Sequence, residues 1–122
     1  MKIYEPLQQF ALFQGLSRAE LLQLAGNTKF DFIKEPAKKT MIREGDACQK
    51  LYFLIDGQLT LTTWSDDRNY HVVEQLHAPW LLQPEALFGA HPHFTATFQA
   101  YTDAHFITLS KDEVLRLLDD RS

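Results

Sequence analysis

His91 and His93, separated by one proline, are the nearest thing in this chain to a metal-binding pattern. On a strand, two such histidines point to one side and offer their imidazole nitrogens to a single ion. A centre of that kind also wants a carboxylate shortly after the second histidine, and Phe94 to Ala100 contains none. Gly89 and Pro92 mark the segment as a loop, so no metal ligand is assigned there. Nucleophilic chemistry has no better footing: Ser, His and Asp all occur, but without a Gly-x-Ser-x-Gly elbow or a comparable context. Cys48 is the single cysteine, which excludes an intrachain disulfide and a cysteine-ligated iron–sulfur cluster within the chain. It reads as an inert loop thiol. The acidic pairs Asp66-Asp67 and Asp119-Asp120 fall on an expected turn and near the chain end, as solvated surface. No catalytic residue, metal or cofactor is expected, and the chain does not read as an enzyme.

Charge narrows the choice further. The formal net charge is -4, and Lys and Arg are spread through the first half rather than gathered into a stripe. Nucleic-acid binding draws most of its affinity from phosphate neutralisation by such stripes, so this segment alone is a poor DNA binder. From Asn69 to Ser110 there is no Lys or Arg at all. Any cation in that half is expected to be a histidine, with His91 and His93 the nearest candidates. No stretch approaches the ~18 apolar residues of a membrane helix, and the N-terminus lacks the apolar core of a signal peptide. A cytoplasmic location without membrane contact is the default expectation.

The elements that would position these residues are mostly short strands. Apolar residues make up 45% and charged residues 23% of the 122 residues, the composition of one ordinary globular domain spanning residues 1–122. Leu7, Phe10 and Ala11 suggest one helical face, and Ser17 with Glu20 forms a capping box ahead of Leu21, Leu22 and Leu24. Gly26 and Asn27 end that helix. Strand patterns then follow at Phe30 to Ile33, Thr40 to Ile42, Leu51 to Ile55, Gln58 to Thr63, Tyr70 to Leu76, Thr95 to Tyr101 and His105 to Leu109. Asp56-Gly57 predicts a type I′ hairpin turn. Trp64 and Tyr70 are expected as cross-strand neighbours flanking the loop 65–69. Ser110 with Glu113 opens a final helix whose Val114, Leu115, Leu117 and Leu118 either cover the core or seed a dimer seam. Short strands framed by helices argue for a β-sandwich or jelly-roll barrel with helical ends.

At Lys39 to Leu61 the run KTMIREGDACQKLYFLIDGQLTL resembles the signature of the cyclic-nucleotide-binding domain family. Its strand, Glu-Gly-Asp turn, apolar strand and x-Gly turn come at the family's spacing, with Gly45 and Gly57 as the structural turn glycines. The likeness extends through Leu76 and again from Thr95 to Leu118, and includes the leading LFQGLSRAELLQL. Within the family the chain is similar to the sensor domains of Crp/Fnr-type transcription regulators. That resemblance implies a mainly β fold, a double-stranded β-helix (jelly-roll) barrel with flanking N- and C-terminal helices. It also implies a homodimer in the full-length protein, and DNA contact only through a helix-turn-helix beginning where this chain ends.

In the family, a Gly-Glu pair and a short helix bind the ribose and cyclic phosphate, and an Arg followed by Ser or Thr and Ala clamps the phosphate. A guanidinium suits that role because it pairs with two oxygens at once. The same alignment puts Gln83-Pro84 on the Gly-Glu pair and Phe94-Thr95-Ala96 on the Arg-Ser-Ala triplet. A one-residue slip brings Glu85 into the carboxylate position but leaves Phe94 in place of the arginine. Cyclic AMP and cyclic GMP are therefore not expected to bind. The pocket candidates are Trp80, Leu82, Gln83, Pro84, Glu85, Phe88, Phe94 and Thr95, which either line an apolar site for an uncharged effector or collapse to fill the barrel. Two rival readings stay open: a small cupin-like metalloenzyme using His91 and His93, and a stand-alone or channel-associated nucleotide-binding module.

Overall fold

A computed structural model describes residues 4–120 of the chain. Its elements, in chain order, are α1 (Tyr4–Leu7), α2 (Arg18–Asn27), β1 (Asp31–Glu35), β2 (Thr40–Ile42), β3 (Lys50–Asp56), β4 (Gln58–Trp64), β5 (His71–His77), β6 (Trp80–Leu81), α3 (Pro84–Leu87), β7 (Thr97–Ala100), β8 (Ala104–Ser110) and α4 (Lys111–Asp120). The strands form two four-stranded sheets, ordered β1-β8-β3-β6 and β2-β7-β4-β5. Every pairing between named strands is antiparallel. The chain changes sheet at most of its turns, which gives the expected jelly roll, open as two facing sheets rather than a closed barrel. The sides of β3, β7 and β8 that face each other carry Leu54, Phe98 and Phe106, all at most 1% exposed, whereas Phe53 and Ile107 are buried on the other side of β3 and β8, Phe53 against Phe10 and Phe13. Burying both inner faces in one core is what holds two such sheets together.

Local chemistry explains most element ends. The Ser17 hydroxyl accepts from the Glu20 amide at 3.1 Å, and the Glu20 carboxylate accepts from the Ser17 amide at 3.0 Å, so the first capping box is complete. The second is half made. Ser110 caps the Glu113 amide at 3.2 Å, but the Glu113 carboxylate turns to Arg116, because Ser110 is still the last residue of β8. On α4, Val114 and Leu117 are buried while Leu115 and Leu118 are 44% and 43% exposed. The side chains of Asp119 and Asp120 lie outside the described residues. Ahead of α2 the expected helical face is interrupted. Leu7, Phe10 and Phe13 are buried instead, and Ala11–Phe13 is a 3-10 turn, whose three-residue period stacks positions i and i+3. Ala11 faces solvent.

Two expectations about turns are corrected. Asp56-Gly57 does not close a hairpin: β3 pairs with β8 and β6, whereas β4 pairs with β5 and β7. The dipeptide is a corner where the chain passes from one sheet to the other. Gly57 has φ +98 and packs so closely on the β7–β8 connection that a Cβ there would strike the Asp103 carbonyl oxygen and come within 2.9 Å of the Ala104 Cα. Trp64 pairs with His71 rather than Tyr70, ring to ring at 4.6 Å, and Tyr70 is 73% exposed. The reason lies in the tip, where Ser65 donates its amide to the Tyr70 carbonyl at 2.9 Å and its hydroxyl to Asp67, drawing Tyr70 into the loop.

Gly57→Ala should cost about 3 kcal/mol, since it meets backbone atoms as well as an unfavourable φ. Urea unfolding of the two proteins checks this, and an unchanged midpoint would be incompatible with the packing of this corner.

Candidate functional site

The segment leading into β7 is placed by the Glu-Gly-Asp turn. Gly45, at φ +94, turns the chain so that its amide donates to the Phe94 carbonyl at 2.8 Å, and the Phe94 amide donates back to the Asp46 carbonyl at 2.9 Å. Ala47 bridges His93, and the Cys48 amide reaches the Pro92 carbonyl at 3.0 Å. Residues 45–48 and 92–94 thus run as a short antiparallel zipper. The turn is braced by Asp46, whose carboxylate accepts from the Arg43 amide at 2.8 Å.

Held this way, the Phe94 side chain enters the sandwich and is 2% exposed. Its ring lies 6.0 Å from that of Tyr52 and 6.1 Å from that of Phe98, both edge-on, and Tyr52 makes the same kind of contact with Phe106 at 6.2 Å. Such edge-to-face contacts add to burial. Leu82, anchored by its amide to the Tyr52 carbonyl at 3.1 Å, is also buried. Burial pushes the Tyr52 phenol up from its ordinary pKa, with the nearby acidic groups Cys48, Glu35 and Asp46 adding to it.

Across from Phe94, Gln83 precedes the short helix α3, whose first residue is Pro84. Gln83 takes a left-handed backbone, φ 33 and ψ 61, a conformation that a glycine adopts freely and a side chain resists. Its amide clasps Thr95 twice: the side-chain carbonyl accepts from the Thr95 amide at 3.0 Å, and the NH2 donates to the Thr95 hydroxyl at 3.1 Å. The two halves of the candidate cassette are therefore tied directly to each other.

The eight pocket candidates thus divide. Leu82 and Phe94 are interior, Gln83 and Thr95 bind one another, and Pro84 is half-buried at the start of α3. Trp80 and Phe88, each 47% exposed, lie on the surface, as does Glu85. His93 and His91 are exposed in the loop, and the His93 Nδ1 lies against the His91 carbonyl. Among the described residues no group of three or more His, Cys, Asp or Glu side chains is placed to hold a metal ion. Cys48 is buried, its thiol points to the Lys50 carbonyl at 3.6 Å, and burial pushes its pKa up, which suits an inert thiol.

One residue was missed from the sequence. An open cleft of about 510 Å³ runs beside Thr95, walled by Glu44, Gly45, Thr63, Trp64 and Arg68. Arg68 pairs with Glu44 at 2.8 Å and lies 5.4 Å above the Trp64 ring. Arg68, one residue before the stretch without Lys or Arg, brings a permanent cation to this cleft because the β4–β5 hairpin folds its tip back over the Glu-Gly-Asp turn. Within the tip, the Asn69 amide and the Ser65 hydroxyl donate to the Asp67 carboxylate and hold it below its usual range. A turn arginine immediately before the cation-free run was the only available signal.

Comparison with known proteins adds a family model described as "Cyclic nucleotide-binding domain", which matches residues 33–121. A search of curated proteins finds no match. Among solved structures, the chain is similar to the sensor domain of the transcriptional regulator DNR from Pseudomonas aeruginosa, at 23% identity and TM-score 0.77, covering 97% of this chain and 77% of that one. It is similar to the catabolite activator protein of Thermus thermophilus at 22% identity and TM-score 0.75, covering 89% of this chain and 50% of that one. It is also similar to the regulatory subunit of a cAMP-independent protein kinase A from Trypanosoma brucei, at 21% identity and TM-score 0.79, covering 97% of this chain and 42% of that one. The chain therefore spans half or less of the two longer proteins. Likeness at these identities speaks for the fold.

Phe94→Ala should destabilise the protein by about 3–5 kcal/mol, the usual range for deleting a buried aromatic, measured by urea unfolding. A second outcome concerns pH. The fold holds Tyr52 neutral, so this contribution is complete below the unfolded tyrosine pKa of about 10 and is lost as pH rises through the higher folded value. Absorbance at 295 nm during an alkaline titration should show one tyrosine ionising late, and Tyr52→Phe should remove it.

Proposed function

The chain belongs to the cyclic nucleotide-binding domain family, and we propose that it is the effector domain of a Crp/Fnr-type transcription regulator whose phosphate-binding cassette no longer serves a cyclic nucleotide. The observation that carries this reading is Phe94. At the position aligned with the family's phosphate-clamping arginine stands a ring that is 2% exposed and packed against Tyr52 and Phe98. A phosphate there would meet an apolar wall, and a buried anion without a paired cation is costly.

The neighbouring groups support the same conclusion. Gln83 and Thr95 satisfy each other where a nucleotide would need their donors. Arg68, the nearest permanent cation at the cleft, already pairs with Glu44, and that cleft also carries Asp66. Any effector of the domain is uncharged or absent. In the intact regulator, a cytoplasmic homodimer, a change in the sandwich would reach the DNA-binding module through α4, whose Val114 and Leu117 are seated in the core. DNA contact belongs to a segment beyond this chain, and no catalytic step is assigned to the domain.

Isothermal titration with cyclic AMP and cyclic GMP tests the reading. Loss of one bidentate guanidinium contact weakens binding by about 2–4 kcal/mol, or about thirtyfold to a thousandfold. The expected result is no saturable heat with either nucleotide in the micromolar range. Tight, stoichiometric binding of either would overturn it.

A further inference from the structure

The two sheets expose four edge strands, and three of them are blunted. β2 has three residues and an irregular register, β6 has two residues, and β1 carries Lys34 between Asp31 and Glu35. Short edges, irregularities and charged edge residues are the usual devices against edge-to-edge pairing. β5 is neither short nor irregular, and its one permanent charge is Glu74. It runs seven residues, pairs with β4 in an unbroken register from Trp64↔His71 to Gln58↔His77, and contains neither Lys nor Pro. Among the described residues β4 is its only strand partner. Val72 and Val73, on opposite faces, are 56% and 55% exposed, and Tyr70 beside them is 73% exposed.

We propose that β5 pairs with the β5 of a second copy of this chain, antiparallel about a two-fold axis at Val73, joining the two β2-β7-β4-β5 sheets into one. The sequence of the strand suits a second copy of itself, and its one carboxylate disfavours one register. Centring on Glu74 would set two carboxylates directly opposite each other, which destabilises a strand pair. Centring on Val73 sets Val73 against itself, Val72 against Glu74, His71 against Gln75 and Tyr70 against Leu76. No like charges then face one another, and the exposed valines are covered. The side of each side chain is preserved, as a two-fold strand pair requires. A single strand pair buries less than the ~1,200 Å² of a standard interface, so the dimer is weak and concentration-dependent. It is independent of the effector reading, and of any interface formed beyond α4.

Sedimentation velocity of the 122-residue chain over a concentration series should show monomer passing to dimer. Val73→Lys, with its fold checked by circular dichroism, should weaken association about tenfold or more by placing two ammonium groups on the axis. In a Cys48→Ala background, oxidised Val73→Cys should form a covalent dimer, because only the residue on the axis meets its own copy. Glu74→Cys should not, its two Cα atoms lying beyond the ~7 Å that a disulfide spans. A chain that stays monomeric at every concentration, leaving β5 to some other partner, would overturn the proposal. So would a dimer indifferent to Val73→Lys, or equal cross-linking at both positions.

Discussion

Two backbone hydrogen bonds, Gly45 to Phe94 and Phe94 to Asp46, decide what the middle of this molecule is. They fix the chain entering β7 against the Glu-Gly-Asp turn, and so fix which way residue 94 points. Once that direction is set, the residue type settles the chemistry. An inward arginine would be an unpaired charge unless a ligand met it, whereas an inward phenylalanine completes the core with Tyr52, Phe98 and Phe106. The same frame therefore supports either a binding site or a packed interior.

Much of this was legible in the sequence because it is local. The Ser17–Glu20 box, the strand runs and Gly45 all depend on interactions within a few residues, and the structure places the box and Gly45 as read and the seven strand runs to within two residues, adding only the two-residue β6. The family, too, was suggested by the resemblance of Lys39–Leu61 to its signature, and the family model matches residues 33–121. What failed was long-range. Asp56-Gly57 has the chemistry of a hairpin, but turn chemistry does not specify which sheet the following strand joins, and the β7–β8 connection beneath Gly57 is far away in the chain. Arg68 was passed over for the same reason, since a hairpin tip's landing place is a tertiary fact.

Among the candidate residues, the identities of Phe94 and Gln83 were readable but their states were not. That Phe94 packs inward required Tyr52 and Phe98 to be brought beside it, and that Gln83 clasps Thr95 required a left-handed backbone no local rule demands of glutamine. Trp80 and Phe88 were grouped with the pocket for being large and apolar, a property that does not distinguish a lining residue from a surface one.

On the proposed reading, the Gln83–Thr95 clasp would make the cassette its own occupant. A side chain tethered to the loop it binds acts at the high effective concentration of any intramolecular group, and a free molecule seeking the same donors and acceptors must compete with it. Such a molecule would gain only the difference between its own contacts and those it displaces. If the proposed reading holds, selectivity in this domain would be set as much by a resident competitor as by the shape of any opening.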